Sequence, residues 1–243
     1  MTEKKQLGII YGITYLLMLI ANYITSTDVG MIADRNPALI QPAGYVFSIW
    51  GLIYFLLLIW IVRLFFIDYE RDRVYESVRY WLIANFILNA IWIVAFTREW
   101  YLTSFIVIIA LLVTLFFIYK KITRVSTNWF DRLPFSIYFG WVTVATIVNS
   151  VEWVKETGTE EVLGLNEYQW TLILLVVGTA IAVVVSLVHL DWLYPLVFAW
   201  AYTGIIIEAD YQFFWLTVVC GAGIFFHLLV SAYTGIRKLK KIR

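Results

Sequence analysis

Gln41-Pro-Ala-Gly-Tyr-Val-Phe-Ser-Ile-Trp-Gly-Leu-Ile-Tyr54 turns a loop into a membrane helix. Pro42 fixes φ and suits a helix entrance, and Gly44 lets the backbone bend without a Cβ clash. The apolar run that follows, Tyr45 to Phe66, is interrupted only by Ser48, Gly51 and Arg63. About 20 such residues cross a hydrocarbon core of about 30 Å. Tyr45, Trp50 and Tyr54 share roughly one broad helix face. For Tyr45 the interface belt is the favoured reading. Trp50 lies deeper, and two readings stand for it: belt, or an inward ring that lines a cavity.

The rest of the chain extends this reading. With 62% of its 243 residues hydrophobic and 14% charged, it has too much apolar surface for a soluble domain. The apolar runs are too long for barrel strands and do not alternate, so the expected fold is all-α, a polytopic membrane helix bundle. About eight transmembrane helices are expected: Leu7–Tyr23, Ala43–Phe66, Tyr80–Phe96, Tyr101–Tyr119, Leu133–Trp153, Tyr168–Val188, Leu190–Ile207 and Tyr211–Gly235. A loop is expected from Thr25 to Gln41, with Asp28, Asp34, Arg35 and Pro37. A charged connector is expected from Asp68 to Arg79, and an acidic one with Gly158 and Gly164 from Glu152 to Glu167. Lys4 and Lys5 before the first span resemble a signal peptide, but no small-residue cleavage site follows, so a retained anchor is expected.

Charge sets the span count and the orientation. His189-Leu190-Asp191 is a short polar break, and it leaves open whether two spans or one long one lie there. With eight spans, 15 of the 18 lysines and arginines fall on one side and Arg35, Arg98 and Lys155 on the other. Positive residues collect on the cytoplasmic side, so both termini are expected in the cytoplasm, and a plasma membrane is expected. No Lys, Asp or Glu lies mid-span, which argues against an ion-coupled pump, a voltage sensor or a retinal Schiff base. The charge balance of +1, with no basic patch, gives no reason to expect nucleic acid. One cysteine, Cys220, permits no internal disulfide, and two histidines without a Cys/His cluster give no expected metal site. His227 reads as a satisfied packing histidine.

Two polar stripes carry the candidate chemistry. Asn85, Asn89, Trp92 and Phe96 recur on one face of the third helix, and Trp141, Ala145 and Asn149 on one face of the fifth. Buried amides need partners, since leaving one bare costs roughly 2–7 kcal/mol. Interhelical glue and polar anchors in an aromatic-walled pocket stand as equal readings. Cholesterol-type patterns such as Leu229, Tyr233 and Arg237 occur three times and identify nothing; Tyr233 and Arg237 read as interface anchors. Gly221 and Gly223 suggest close packing, against the bundle or a second protomer.

Three blocks resemble one family in order. Pro42-x-Gly-Tyr-x-Phe-x-x-Trp50, Asn85-x-x-x-Asn-Ala-x-Trp92 and Trp141-Val-x-x-Ala-Thr-x-x-Asn149 are similar to the second, third and fifth helices of the tryptophan-rich sensory protein or translocator protein (TspO/MBR) family. Trp92 is followed by Ile-Val where many relatives have Ser-Pro, and Pro134 stands farther before Trp141 than the family spacing. The family usually has five spans, so residues 1–153 form the TspO-like five-helix core and 154–243 an additional three-helix segment with a basic tail. The resemblance implies a receptor-like sensor or transport protein that binds flat hydrophobic molecules, porphyrin, haem or sterol, in a pocket within the bundle. Carried over, Trp50, Asn85, Asn89 and Trp141 line the pocket, Pro42, Gly44 and Tyr45 shape its rim, and Trp92, Phe96 and Asn149 add to it. No enzyme and no cofactor is expected, with a bound porphyrin or haem as ligand. The partners expected are that small molecule and the lipid bilayer, with room for a homodimer. The alternatives are a membrane enzyme that degrades a bound tetrapyrrole, and a structural subunit without ligand.

Overall fold

A computed structural model describes residues 3–33, 37–67, 69–126 and 128–242. Within them, helices α1 (Glu3–Ala33), α2 (Ile49–Arg63), α3 (Tyr69–Ser77), α4 (Arg79–Thr97), α5 (Tyr101–Val125) and α6 (Trp129–Glu156) follow in order. A hairpin of β1 (Glu161–Val162) and β2 (Leu165–Asn166) then leads to α7 (Glu167–His189), α8 (Tyr194–Glu208) and α9 (Phe214–Ile242). A 3-10 turn, Gly44–Ser48, precedes α2. Among the described residues, seven helices are long and apolar enough to cross a membrane. The fold is an all-α polytopic membrane bundle.

Boundaries depart from expectation where polar residues do not break a helix. α1 runs on to Ala33 instead of ending at Tyr23. The Thr25 hydroxyl folds back to donate to the Ala21 carbonyl, so its polarity is satisfied within the helix and does not end it. Asp34 and Arg35 lie outside the described residues. The connector after α2 contains a helix, α3. Pro134 falls inside α6, because the Asn128 side chain accepts from the Phe130 N–H and opens the helix earlier. The break after His189 is real: Leu190 adopts φ +48° and ends α7, and the Asp191 carboxylate accepts from the Leu193 N–H at 3.0 Å. The seventh expected span, α8, has only 15 residues.

Two compact units divide the chain by packing, with one boundary inside α6. The first comprises Met1–Arg35 and Trp50–Val142. There α1 and α5 pack against α4. Tyr11 in α1 donates to the Tyr75 carbonyl at 2.6 Å, and Tyr75 in turn donates to the Trp60 carbonyl at 2.9 Å. Burial holds the Tyr75 phenol above the ordinary tyrosine range, so the donor stays protonated. The Trp60 ring lies 3.9 Å from that of Tyr75 and meets Phe135 edge-on. Arg63 forms an ion pair with buried Asp131, which also accepts from Ser126.

The second unit comprises Asn36–Ile49 and Thr143–Arg243. α9 packs against α7 and α8. A Cβ on Gly223 would come within 2.6 Å of the Tyr202 ring, so this glycine serves packing against α8 within the chain, while one on Gly221 would meet nothing. The hairpin turns through Leu163 and Gly164, both at positive φ, as a two-residue turn of the I′ kind requires. Asn166 and Gln169 then form a capping box that starts α7. His227 is fully buried beside Phe198 and Tyr202, and neither ring nitrogen has a hydrogen-bond partner among the described residues. Among the described residues the expected satisfied histidine has ring contacts in place of hydrogen bonds.

Candidate functional site

The first unit gathers aromatic rings around Trp50. Its ring centroid lies 5.5 Å from that of Trp92, 5.6 Å from Tyr54, 5.8 Å from Tyr138 and 6.3 Å from Trp141. Tyr54 is stacked on it, while Tyr138 and Trp141 meet it edge-on. Phe96 continues the group from Trp92 at 5.7 Å. Trp92 and Trp141 are buried, whereas Trp50 is half-buried. The α2, α4 and α6 faces that carry these rings are those their helical spacing dictates.

A hydrogen-bonded chain joins the cluster. Asn89, with no exposed surface, donates through Nδ2 to the Tyr138 hydroxyl at 2.8 Å. Its Oδ1 accepts from Asn22 Nδ2 at 2.9 Å. The Tyr54 hydroxyl donates to Asn22 Oδ1 at 2.8 Å, with Asn89 Oδ1 3.4 Å away. Four side chains from four helices thus satisfy one another in a medium without water. Asn85 is used differently. Its Nδ2 donates to Thr114 Oγ1 on α5 at 2.8 Å, and its buried Oδ1 has no hydrogen-bond partner among the described residues.

Chemically, this arrangement offers ring faces, hydroxyls and amides. Among the described residues no three His, Cys, Asp or Glu side chains come together as metal ligands would.

A scan of protein-family models matches residues 8–233 to the TSPO-like protein family. The chain belongs to this family. No curated protein and no solved structure matches it. The family match runs through α7 and α8 and into α9, so the three C-terminal helices, which the motif resemblance leaves without counterpart, lie within what the TSPO-like family shares.

Of the residues expected to form a site in this TSPO-like chain, the structure brings together Trp50, Trp92, Phe96, Trp141 and Asn89. Asn85 is engaged with α5. Pro42, Tyr45 and Asn149 belong to the second unit. Tyr45 meets Trp200 of α8 edge-on at 5.3 Å, Pro42 lies beside Gly204, and Asn149 is buried in α6. Asn22 and Tyr138 were not singled out from the sequence. A lone Asn or Tyr in an apolar helix carries no periodic signal, although each is a polar group that needs a partner.

The difference between the two asparagines is testable. Asn89→Ala strips a partner from both Asn22 and Tyr138 and is expected to cost about 1–2 kcal/mol. Asn85→Ala is expected to cost less, because Thr114 still donates to the Leu111 carbonyl at 2.7 Å. Thermal unfolding in detergent micelles ranks the two; the reverse order would mean that the Asn89 chain does not hold the helices together.

Proposed function

We propose that the protein is a membrane-embedded binding protein for flat hydrophobic molecules of porphyrin or sterol type, acting as a sensor or translocator. The observation that carries this reading is the half-buried Trp50 ring set among Trp92, Trp141, Tyr54 and Tyr138, with the Asn89 chain beside it. Aromatic faces set stacked and edge-on in this way favour a planar guest. Trp50 is the ring least enclosed among the three tryptophans, so a guest enters by displacing it and stacking in its place. The Asn22, Asn89 and Tyr138 groups then redirect hydrogen bonds to the guest's polar edge.

The test is quenching of tryptophan fluorescence by protoporphyrin IX in purified protein. Wild type is expected to show saturable quenching in the micromolar range, with Trp141→Phe and Asn89→Ala weakened about tenfold in folded protein. Linear quenching in all three would mean partition into detergent and would remove tetrapyrroles. A second reading, a structural subunit without ligand, draws on both amide ends of Asn89 being occupied by protein partners. It predicts that Asn89→Ala lowers stability and leaves quenching unchanged.

Orientation follows from charge. We infer that both termini are cytoplasmic, in a plasma membrane, with α8 as the eighth crossing. Fifteen helical residues reach about 22 Å, short of a 30 Å core. Burial of Tyr194, Phe198, Ala201, Tyr202 and Ile205 shields α8 from lipid and lets a short helix serve.

A further inference from the structure

The second unit holds a cavity of about 530 Å³ between the end of α6, the β1–β2 hairpin and the start of α7. Its size suits one small ring-bearing molecule, since ligand pockets run to roughly 300–1,000 Å³. Trp153, Val162, Trp170 and Leu174 contribute its apolar walls. The Trp170 indole N–H donates to the Val162 carbonyl at 2.9 Å. That bond pins the ring to the hairpin and uses its only donor, so what it offers a guest is its π face. The hairpin turn and the capping box at Asn166 hold this wall in place without a ligand.

Charge narrows the guest. Lys155 lines the cavity, but its ammonium lies 3.3 Å from Glu167 Oε1 and donates to the Pro37 carbonyl at 3.0 Å. Glu167 also accepts from the Leu39 N–H at 2.8 Å. Glu160 stands exposed at the rim. The charged side chains that line the cavity are Glu160 and Glu167 against this lysine. An anion entering here meets a negative field, whereas a cation is drawn to the rim and rests against indole faces. The cavity lies where α6 ends and α7 begins, so such a guest reaches it from water or from the membrane interface.

We propose that this cavity is a binding site for an amphipathic cation, a flat aromatic ring system bearing a protonated amine or amidine-like group. The rings stack on Trp170 and Trp153, and the positive end faces Glu160. The site is separate from the Trp50 cluster and does not depend on that reading.

The experiment measures saturable binding to the full chain in nanodiscs by equilibrium dialysis, with empty nanodiscs subtracted. The probes are three tricyclic molecules of like shape: proflavine, cationic near neutral pH; acridine, neutral; and an anthracene carboxylate, anionic. Proflavine is expected to bind about tenfold more tightly than acridine, and the carboxylate not to saturate. Glu160→Gln, on an exposed position that tolerates change, is expected to weaken proflavine about threefold and leave acridine as in wild type. Trp170→Phe is expected to weaken both. Equal affinities for the three probes, or none that saturates, would overturn the proposal and leave the two indoles as interface anchors. A charge preference untouched by both substitutions would also overturn it, by placing the cation elsewhere.

Discussion

Arg63→Met is expected to destabilise the protein by about 3–5 kcal/mol, the largest loss of any single change outside the aromatic cluster. Arg63 ends α2 and pairs with Asp131 in the first turn of α6. The Asp131 side chain is 6% exposed, so water cannot readily replace the guanidinium. Ser126 still donates to one oxygen, but the negative charge is left buried and unpaired. A buried pair adds little over a well-packed apolar pair, and breaking it from one side is what costs. Unfolding in detergent, followed by tryptophan fluorescence, should therefore show most of the loss recovered in Arg63→Met/Asp131→Asn. If the double variant is as unstable as Arg63→Met, the stranded carboxylate is not the cause. Arg63→Lys keeps the charge without the planar fork and is expected to fall between.

Gly204→Leu is the second large effect. A Cβ at this position would lie 2.2 Å from Val46 Cγ2 and 3.1 Å from Pro42 Cβ. The backbone is as close as the side chains: the Ala43 N–H donates to the Gly204 carbonyl at 3.1 Å, and Trp200 Nε1 donates to the Val46 carbonyl at 3.1 Å. Overpacking of this kind costs about 1–3 kcal/mol for a small group and more for a large one. Gly204→Ala is thus expected at about 2 kcal/mol and Gly204→Leu above it. Hydrogen exchange should show the cost at its source, with faster exchange at Ala43 and Val46. Val46→Ala introduced with Gly204→Ala removes the nearest methyl and should restore part of the stability. Unchanged protection at Ala43 in Gly204→Leu would mean that the loop before α2 is not held by α8.

This contact gives the opening stretch of the chain a second meaning. Pro42 and Gly44 read from sequence as a turn into a membrane helix, and a 3-10 turn leads into α2. Nothing in that stretch names its partner, which arrives 160 residues later as the glycine between Thr203 and Ile205. Gly204 looks in sequence like any glycine in an apolar run. The same holds for Arg63, which reads as an interruption of an apolar run until Asp131 is placed against it.

The candidate site divides in the same way. Trp92 and Asn89 share a helical stripe, and so do Trp50 and Tyr54, because a 3.6-residue period fixes which side chains lie on one face. Whether Asn89 is glue or anchor turns on Asn22 and Tyr138, which no period connects to it. Asn85, one turn away on the same stripe, is bonded to Thr114 and differs from Asn89 only in what its neighbours supply.

The membrane class, the family blocks and seven of the eight expected spans as long apolar helices are legible in the chain alone, because hydropathy over about 20 residues and helical period are local properties measured against a bilayer of set thickness. Helix ends at polar residues are not legible there, since α1 continues through Thr25 and Gly30 to Ala33 where no proline stands. Which polar atoms meet is settled by packing in three dimensions. Inside a membrane a buried donor or acceptor left bare is costly, and its partner, where it has one, is chosen by which helix faces pack together, which no stretch of sequence encodes alone.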